Sequence, residues 1–197
     1  MIDAHHHLWK YSAAEYGWIT PQMRVLRRDF LPAQLEDLMH HFGIEGTVAV
    51  QARQTVEETS WLLSLAAKHP LIRGVVGWVP LTEGAGVKRH LEHFAGNQSL
   101  RGVRHVIHDE PDPRYILRDD FNAGISALQG TGLRYDILIF ERHLPAPSNS
   151  SIAIPTRFSS WIISPSPASR NGFFPRGTAT CANLPSVRTC IASFPAW

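Results

Sequence analysis

Two histidines separated by a single residue, His5 and His7, stand near the start of the sequence. The segment before them, Met1–Ala4, is short and apolar enough to form a buried strand that ends at the histidines. Because side chains alternate between the two faces of a strand, both imidazoles are expected to point the same way and could share one ion. Imidazole suits zinc and similar divalent metals, which acidify a bound water. The pattern therefore predicts a divalent metal site, with zinc as one option; three adjacent surface histidines are the alternative.

Elements that would position these histidines recur along the first 140 residues. Apolar runs of strand length alternate with segments whose apolar residues recur at helical spacing. Strands are predicted at 1–4, 47–50, 72–79, 100–107 and 133–140. Helices are predicted at 31–42, 56–68, 86–94 and 120–129. The pattern Thr55-x-x-Glu58 has the form of a capping box at the start of the second helix, and residues 9–28 are predicted to be a long loop.

Strands that alternate with helices in this way are typical of repeated βαβ units with a parallel sheet. A (β/α)8 barrel and an open doubly wound sheet both fit this pattern. A dinucleotide-binding sheet would open with a Gly-rich turn after its first strand, where this chain has His-His-His-Leu-Trp instead. We therefore predict an α/β fold, a partial (β/α)8 TIM barrel of about five βα units. Active sites of such barrels form at the C-terminal ends of the strands.

Polar and aromatic residues at the predicted strand ends are the candidate substrate contacts. Arg104 could form bidentate hydrogen bonds with a carboxylate or a polyhydroxylated substrate, or it could pair with a nearby acid such as Asp109. His105 is expected to point away from Arg104, so at most one of the two faces the barrel centre. The other candidates could equally cap a loop or pack in the core, and they are Trp18, Gln51, Trp78, His108 and Asp136.

Several longer segments carry a resemblance to a known family, and they are 2–9, 16–21, 28–32, 46–52, 77–79, 101–105, 109–112, 135–140 and 142–145. In these segments the chain resembles the amidohydrolase-related family, and within it the sugar-lactone hydrolases that open L-fuconolactone or L-rhamnonolactone. The resemblance implies a (β/α)8 barrel and places the family's H-x-H on His5 and His7. It implies a sugar lactone as the small-molecule substrate, with water attacking the lactone carbonyl. Related enzymes decarboxylate acids, so a decarboxylase of the same superfamily stays open.

Composition and charge argue against other classes of partner. Hydrophobic residues make up 44% and charged residues 18% of the chain, which describes a globular protein. A net charge of +2 with no long Lys/Arg run does not indicate nucleic acid or a membrane surface. No stretch approaches the roughly 20 apolar residues that span a bilayer. The first residues lack the features of a signal peptide, so a cytoplasmic location is expected. The sequence does not determine the oligomeric state.

The chain changes character after residue 146. All 17 Asp and Glu and all 11 His lie at or before His143. Residues 1–146 carry 15 Lys and Arg, whereas residues 147–197 carry 4 Arg, no acid, and both cysteines, Cys181 and Cys190. The cysteine spacing predicts neither a disulfide framework nor a metal knuckle. We therefore predict that 1–146 is the N-terminal part of an amidohydrolase-like barrel and that 147–197 is an aberrant, irregular and disordered tail.

This division affects the functional interpretation. The resemblance leads us to expect a general base late in the barrel, and such a residue is not encoded here, so no catalytic residue is assigned. An eight-stranded barrel that stops after five strands would have open edges and an incomplete core. A truncated, non-catalytic remnant of a lactone hydrolase is therefore at least as good an interpretation as an active enzyme.

A frameshift after about residue 146 would account for the change in composition. Trp161 is encoded by TGG, so a frame that joins its last base to the first two bases of the Ile162 codon reads GAT, for Asp. With ordinary codons nearby, this frame reads Leu-Asp-His-Leu, which the resemblance leads us to expect at a sixth strand. Sequencing the gene around codon 146 is expected to reveal a barrel-like continuation in the alternative frame. A frame without such a continuation would contradict the hypothesis.

Overall fold

Strands and helices alternate along the chain. The computed structural model describes residues 1–84 and 86–140, and for residues 158–164 it describes the backbone. The strands are β1 (Ile2–His6), β2 (Gly46–Val50), β3 (Ile72–Gly77), β4 (Leu100–Val106), β5 (Arg134–Phe140) and β6 (Phe158–Ser164). The α-helices are α1 (Pro32–Phe42), α2 (Val56–Lys68), α3 (Gly86–Phe94) and α4 (Asp119–Ala127). Short 3-10 helices lie at Pro21–Leu26, Leu81–Glu83, Ile107–Asp109 and Tyr115–Leu117.

The α/β fold predicted from the sequence is confirmed, since each predicted helix and strand has a counterpart. The differences are at the ends of elements. β1 extends to His6, because its pairing with β2 continues beyond the apolar run. α4 ends at Ala127 rather than at Gln129, because a turn follows in which the Leu128 N–H donates to the Ile125 carbonyl oxygen at 3.1 Å.

The described residues form two compact units. The first comprises Met1–Pro80 and Glu92–Gly102; the second comprises Leu81–Leu91 and the described residues from Val103 onward. In the first unit β1, β2, β3 and the first half of β4 lie in chain order. β1 pairs in parallel with β2, and β2 pairs in parallel with β3. In the second unit the second half of β4 is followed by β5 and β6, and the last two are parallel.

The central strands of the first unit are almost entirely buried. Every residue of β2 and β3 except Arg73 of β3 is buried or partly buried. This is expected for parallel strands that are covered on both faces. α2 packs against β3 and contributes Leu62 and Leu63 to the core. The helix begins at its N-cap Thr55, whose hydroxyl accepts a hydrogen bond from the Glu58 N–H at 3.1 Å.

The long segment between β1 and α1 is a packed loop with a small core of its own. Trp9, Tyr16 and Ile19 are buried together. Trp9 and Phe30 exchange backbone hydrogen bonds of 3.0 and 2.9 Å, which close the base of the loop. The indole N–H of Trp9 donates to the Arg28 carbonyl oxygen at 2.9 Å. The segment predicted as a long loop also contains the 3-10 helix Pro21–Leu26.

The second unit is organised around α4. The helix packs against Leu81–Glu83, and its Phe121 contacts Tyr115 and Tyr135 at ring-centroid distances of 5.2 and 6.0 Å. β6 lies within the region predicted to be an irregular tail. The rest of that region, with both cysteines, lies outside the described residues, so its disorder stays a prediction. Within the described part of the chain, every helix is too short or too polar to span a bilayer.

Gly124 of α4 tests the close approach between this helix and Leu81. A Cβ at Gly124 would lie 1.9 Å from the carbonyl oxygen of Leu81, which is backbone and cannot turn aside. Gly124→Ala is therefore expected to lower the free energy of unfolding by about 1 to 3 kcal/mol in urea denaturation. Gly17→Ala is the matched control, because a Cβ there meets nothing within 4 Å. Equal stability of the two variants would contradict the packing described here.

Candidate functional site

The rings of His5 and His7 lie together at the C-terminal end of β1. Their Nε2 atoms are 3.3 Å apart, and the rings meet edge to face with centroids 5.0 Å apart. This is the shared direction that strand alternation predicts. Two nitrogens that each lie about 2.0 to 2.1 Å from a tetrahedral zinc ion are separated by about 3.3 to 3.4 Å. The spacing of the two nitrogens therefore fits a shared ion.

The orientation of His7 is fixed from β2. Its Nδ1 lies 2.9 Å from the carbonyl oxygen of Val50, the last residue of that strand. A carbonyl oxygen only accepts hydrogen bonds, so Nδ1 carries the hydrogen and the lone pair of the neutral ring lies on Nε2. A backbone carbonyl behind a histidine in this way is the usual arrangement at metal sites, where it sets the tautomer and the ring direction.

A bulge in β1 separates His6 from this pair. Asp3 pairs with Thr47 and His6 pairs with Ala49, so β1 advances three residues where β2 advances two. The His6 ring turns toward β2, where its Nδ1 lies 2.6 Å from the hydroxyl oxygen of Thr47. Burial lowers the pKa of His6. Of the three consecutive histidines, His6 therefore packs between the strands while the other two face each other.

The histidine pair offers two ligands for a metal ion. Among the residues that the structure describes, no group of three or more His, Cys, Asp or Glu side chains could hold a metal ion. His5 and His7 would supply two nitrogens to a zinc or similar ion, which takes four ligands at a structural site and three protein ligands at a catalytic one. Further ligands would have to come from water, substrate or residues outside the described part.

The other candidates of the first unit lie at or near strand ends. Gln51 follows β2, is fully buried, and donates its backbone N–H to the Val76 carbonyl oxygen at 2.8 Å. Trp78 follows β3 and is half-buried, with its backbone N–H and carbonyl both bonded to the Thr59 hydroxyl at 2.7 and 2.8 Å. Trp18 is 43% exposed and contacts Trp9 edge to face at 6.0 Å. Of the two tryptophans, Trp18 presents the more open ring.

A buried carboxylate, Glu58, is the residue whose role the sequence did not predict. Its Oε2 accepts the backbone N–H groups of Ala52 and Arg53 at 2.9 and 2.6 Å, and its Oε1 accepts the Tyr16 hydroxyl at 3.4 Å. Burial raises the pKa of the Glu58 carboxyl. The capping-box pattern was the available signal, but it predicts a carboxylate directed at Thr55. The side chain instead holds the loop that follows β2.

In the second unit His105 is enclosed by aromatic rings. It stacks on Tyr115 with centroids 4.9 Å apart and meets Phe121 of α4 at 5.9 Å. Its Nε2 lies 2.6 Å from a carboxylate oxygen of Glu110, and burial lowers the pKa of the ring. His105 therefore faces the side of β4 that α4 covers. By strand alternation its neighbour Arg104, also buried, faces the other side.

Asp136 and His108 belong to the same side as Arg104. Tyr135 of β5 contacts Phe121 on the side of α4, so alternation places the buried Asp136 on the opposite side. Phe140 has the same parity as Asp136, and the His108 ring stacks on it at 4.6 Å. His108 Nε2 also lies 3.1 Å from Asp109. The structure thus brings Arg104, His108 and Asp136 to one side of this unit and His105 to the other.

Comparison with known proteins gives consistent matches. A family model described as amidohydrolase matches residues 2–158. An L-fucono-1,5-lactonase of Burkholderia multivorans is 45% identical over 145 residues, which are 73% of this chain and 48% of the relative. An L-fucono-1,5-lactonase of Burkholderia ambifaria is 33% identical over 145 residues, 74% of this chain and 50% of the relative. This chain spans about half the length of the curated relatives that it matches.

A solved structure supports the same fold. A crystal structure of an amidohydrolase from Burkholderia multivorans with bound zinc is 43% identical and superposes with a TM-score of 0.68. The match covers 73% of this chain and 50% of that chain. The described strands and helices therefore form a partial (β/α)8 fold, as the sequence predicts.

The buried Glu58 predicts a specific dependence of stability on pH. Its folded-state pKa is raised, so the folded chain holds the proton more tightly than the unfolded chain does. The free energy of unfolding is therefore expected to fall as pH rises from below the ordinary glutamate pKa through the raised value. Glu58→Gln keeps an acceptor oxygen but cannot ionise, so its free energy of unfolding should fall less over this window in urea titrations.

The exposed neighbour Glu57 provides the control. Glu57→Gln makes the same chemical change on the surface of the same helix, and its pH profile should follow that of the wild type. Parallel profiles for the wild type and Glu58→Gln would show that the burial of Glu58 does not govern this pH dependence.

Proposed function

Because the chain belongs to the amidohydrolase family, we propose that it is a hydrolase that opens a sugar lactone by water attack on the lactone carbonyl. The observation that carries the proposal is the pair of Nε2 atoms of His5 and His7, 3.3 Å apart at the end of β1. The names of two relatives make L-fucono-1,5-lactone the first substrate to test.

His5 and His7 are the proposed ligands of a divalent metal, with zinc first because a relative at 43% identity has bound zinc in its crystal structure. A divalent metal there would supply Lewis acidity to the lactone carbonyl and to the attacking water. The chain itself prepares the ligands. The Val50 carbonyl oxygen holds the hydrogen of His7 on Nδ1, which keeps the Nε2 lone pair directed at the ion.

The proposed substrate contacts are polar and aromatic groups near the strand ends. In the first unit Gln51 and Trp78 directly follow strands, and the half-exposed Trp18 offers a ring face for a sugar. In the second unit Arg104 and Asp136 are buried polar groups on the side of the strands away from α4; Arg104 would donate hydrogen bonds to sugar hydroxyl groups and Asp136 would accept them.

His108 and His105 have different proposed roles in the second unit. His108 stacks on Phe140 on the side of Arg104 and remains a proposed substrate contact. The His105 ring is covered by Tyr115 and Phe121, so its proposed role is to support β4 through its bond to Glu110. No described residue is assigned as the general base.

A second candidate function is a non-catalytic remnant that binds metal without turnover. One observation favours it: the described residues contain no group of three or more side chains that could hold a metal ion. A site with two protein ligands would bind zinc less tightly than a complete one.

Zinc binding and lactone opening test these alternatives. His5→Ala and His7→Ala are each expected to weaken zinc binding by more than the roughly 10- to 100-fold that follows loss of a partner behind a ligand. Any release of acid from L-fucono-1,5-lactone should be lost together with zinc binding. His41→Ala is the control, because His41 is an exposed histidine of α1. A chelator competition assay and a pH-indicator assay give the two readouts.

The outcomes separate the two functions. Turnover by the chain as written supports the hydrolase and contradicts the remnant. Zinc binding without turnover, beside turnover by a version with its alternative frame restored after residue 146, supports the remnant. A chain that binds no zinc, or whose zinc binding survives both substitutions, contradicts the proposed site at His5 and His7.

A further inference from the structure

We propose that Asp3 is a positioning residue for the histidine pair: its carboxylate holds the bulge of β1 from which His5 and His7 project. The inference rests on the proposed function, because it gives the purpose of the bulge as the placement of metal ligands. Asp3 itself lies outside the proposed ligand pair, and its effect on the His5 and His7 rings can be tested without a metal.

Three contacts of one carboxylate carry the inference. Asp3 Oδ1 accepts the backbone N–H of His5 at 3.2 Å, inside the bulge. Asp3 Oδ2 accepts a long hydrogen bond from the Thr47 hydroxyl of β2 at 3.5 Å. The same oxygen lies 3.9 Å from Nδ1 of His6. The carboxylate therefore connects the backbone before the first ligand with the neighbouring strand and with the histidine between the ligands.

The bulge decides on which side of the histidine pair Asp3 lies. Without an extra residue, period-two alternation would place Asp3 on the face of His5 and His7, with Ala4 and His6 on the other. In the structure Asp3 and His6 contact one another and Thr47, while His5 and His7 form the pair. Bulges change the direction of side chains in this way and recur beside active sites. A loss of the bulge would move the ligand rings relative to β2, whose Val50 carbonyl orients His7.

The acceptor oxygens of Asp3 should contribute more than its charge to holding the bulge of β1. The side chain of Asp3 is 32% exposed, and an ion pair with this much contact with water contributes little stability. A hydrogen bond to a backbone N–H in a bulge, by contrast, is directional and fixes the local backbone. An asparagine at this position keeps one acceptor oxygen of the same reach, so it should preserve the bulge where alanine does not.

The experiment compares Asp3→Ala and Asp3→Asn in the full chain, with Glu36→Ala as the matched control. Glu36 also pairs with a histidine, His69, at 2.9 Å, and its side chain is 35% exposed. The first readout is the ring-nitrogen NMR signals of His5 and His7 in metal-free protein, which report their tautomers. The second is the zinc affinity from competition with a chelator.

We expect Asp3→Ala to change the ring signals of both ligands and to weaken zinc binding about 10- to 100-fold, the range for partners behind a metal ligand. Asp3→Asn should keep the ring signals and stay within about tenfold of the wild-type affinity. Glu36→Ala should alter neither readout. A loss of thermal stability alone, with both readouts unchanged in Asp3→Ala, would overturn the proposal.

Failure of the positioning role and failure of the metal site give different results. If the wild type binds no zinc but Asp3→Ala alone changes the ring signals, the positioning role holds and the metal site fails. If the wild type binds zinc and Asp3→Ala binds it equally well, the metal site holds and the positioning role fails. If Glu36→Ala changes the ring signals and the zinc affinity as Asp3→Ala does, the effect is a general destabilisation of the fold and the positioning role is overturned.

Discussion

Parallel pairing of β1 with β2 is the constraint on which the histidine pair depends. The partner strand supplies the Val50 carbonyl oxygen that orients His7 and the Thr47 hydroxyl that engages His6. Because β2 is buried and paired on its other side with β3, these groups are held in place by the core. The geometry of the histidine pair at the end of β1 is therefore a property of two strands that are about 40 residues apart in the chain.

Buried polar groups extend this constraint to the loop after β2. Glu58 lies in the core, and a carboxylate there is tolerated only where hydrogen bonds satisfy it. It receives them from the backbone of Ala52 and Arg53 and from Tyr16. The same bonds join the loop that follows β2 to the packed loop around Trp9. One buried acid thus holds two segments beside the proposed site.

In the second unit, aromatic packing holds the side chains of β4 and β5 in place. His105, Tyr115, Phe121 and Tyr135 form a continuous set of ring contacts on the side of α4. With one side of β4 and β5 filled in this way, Arg104 and Asp136 are confined to the other side. The separation of the aromatic set from Arg104 and Asp136 follows from the alternation of neighbouring side chains.

The sequence by itself determined the order of helices and strands, the α/β class and the shared direction of His5 and His7, because periodicity and alternation are local properties. Tertiary structure alone decided three features: the bulge at Asp3, the partners of Glu58, and the side to which His105 turns. Each depends on contacts between distant segments, Asp3 with Thr47, Glu58 with Tyr16, and His105 with Phe121. A local pattern contains no information about register or about which distant group meets a buried charge, so packing had to decide them.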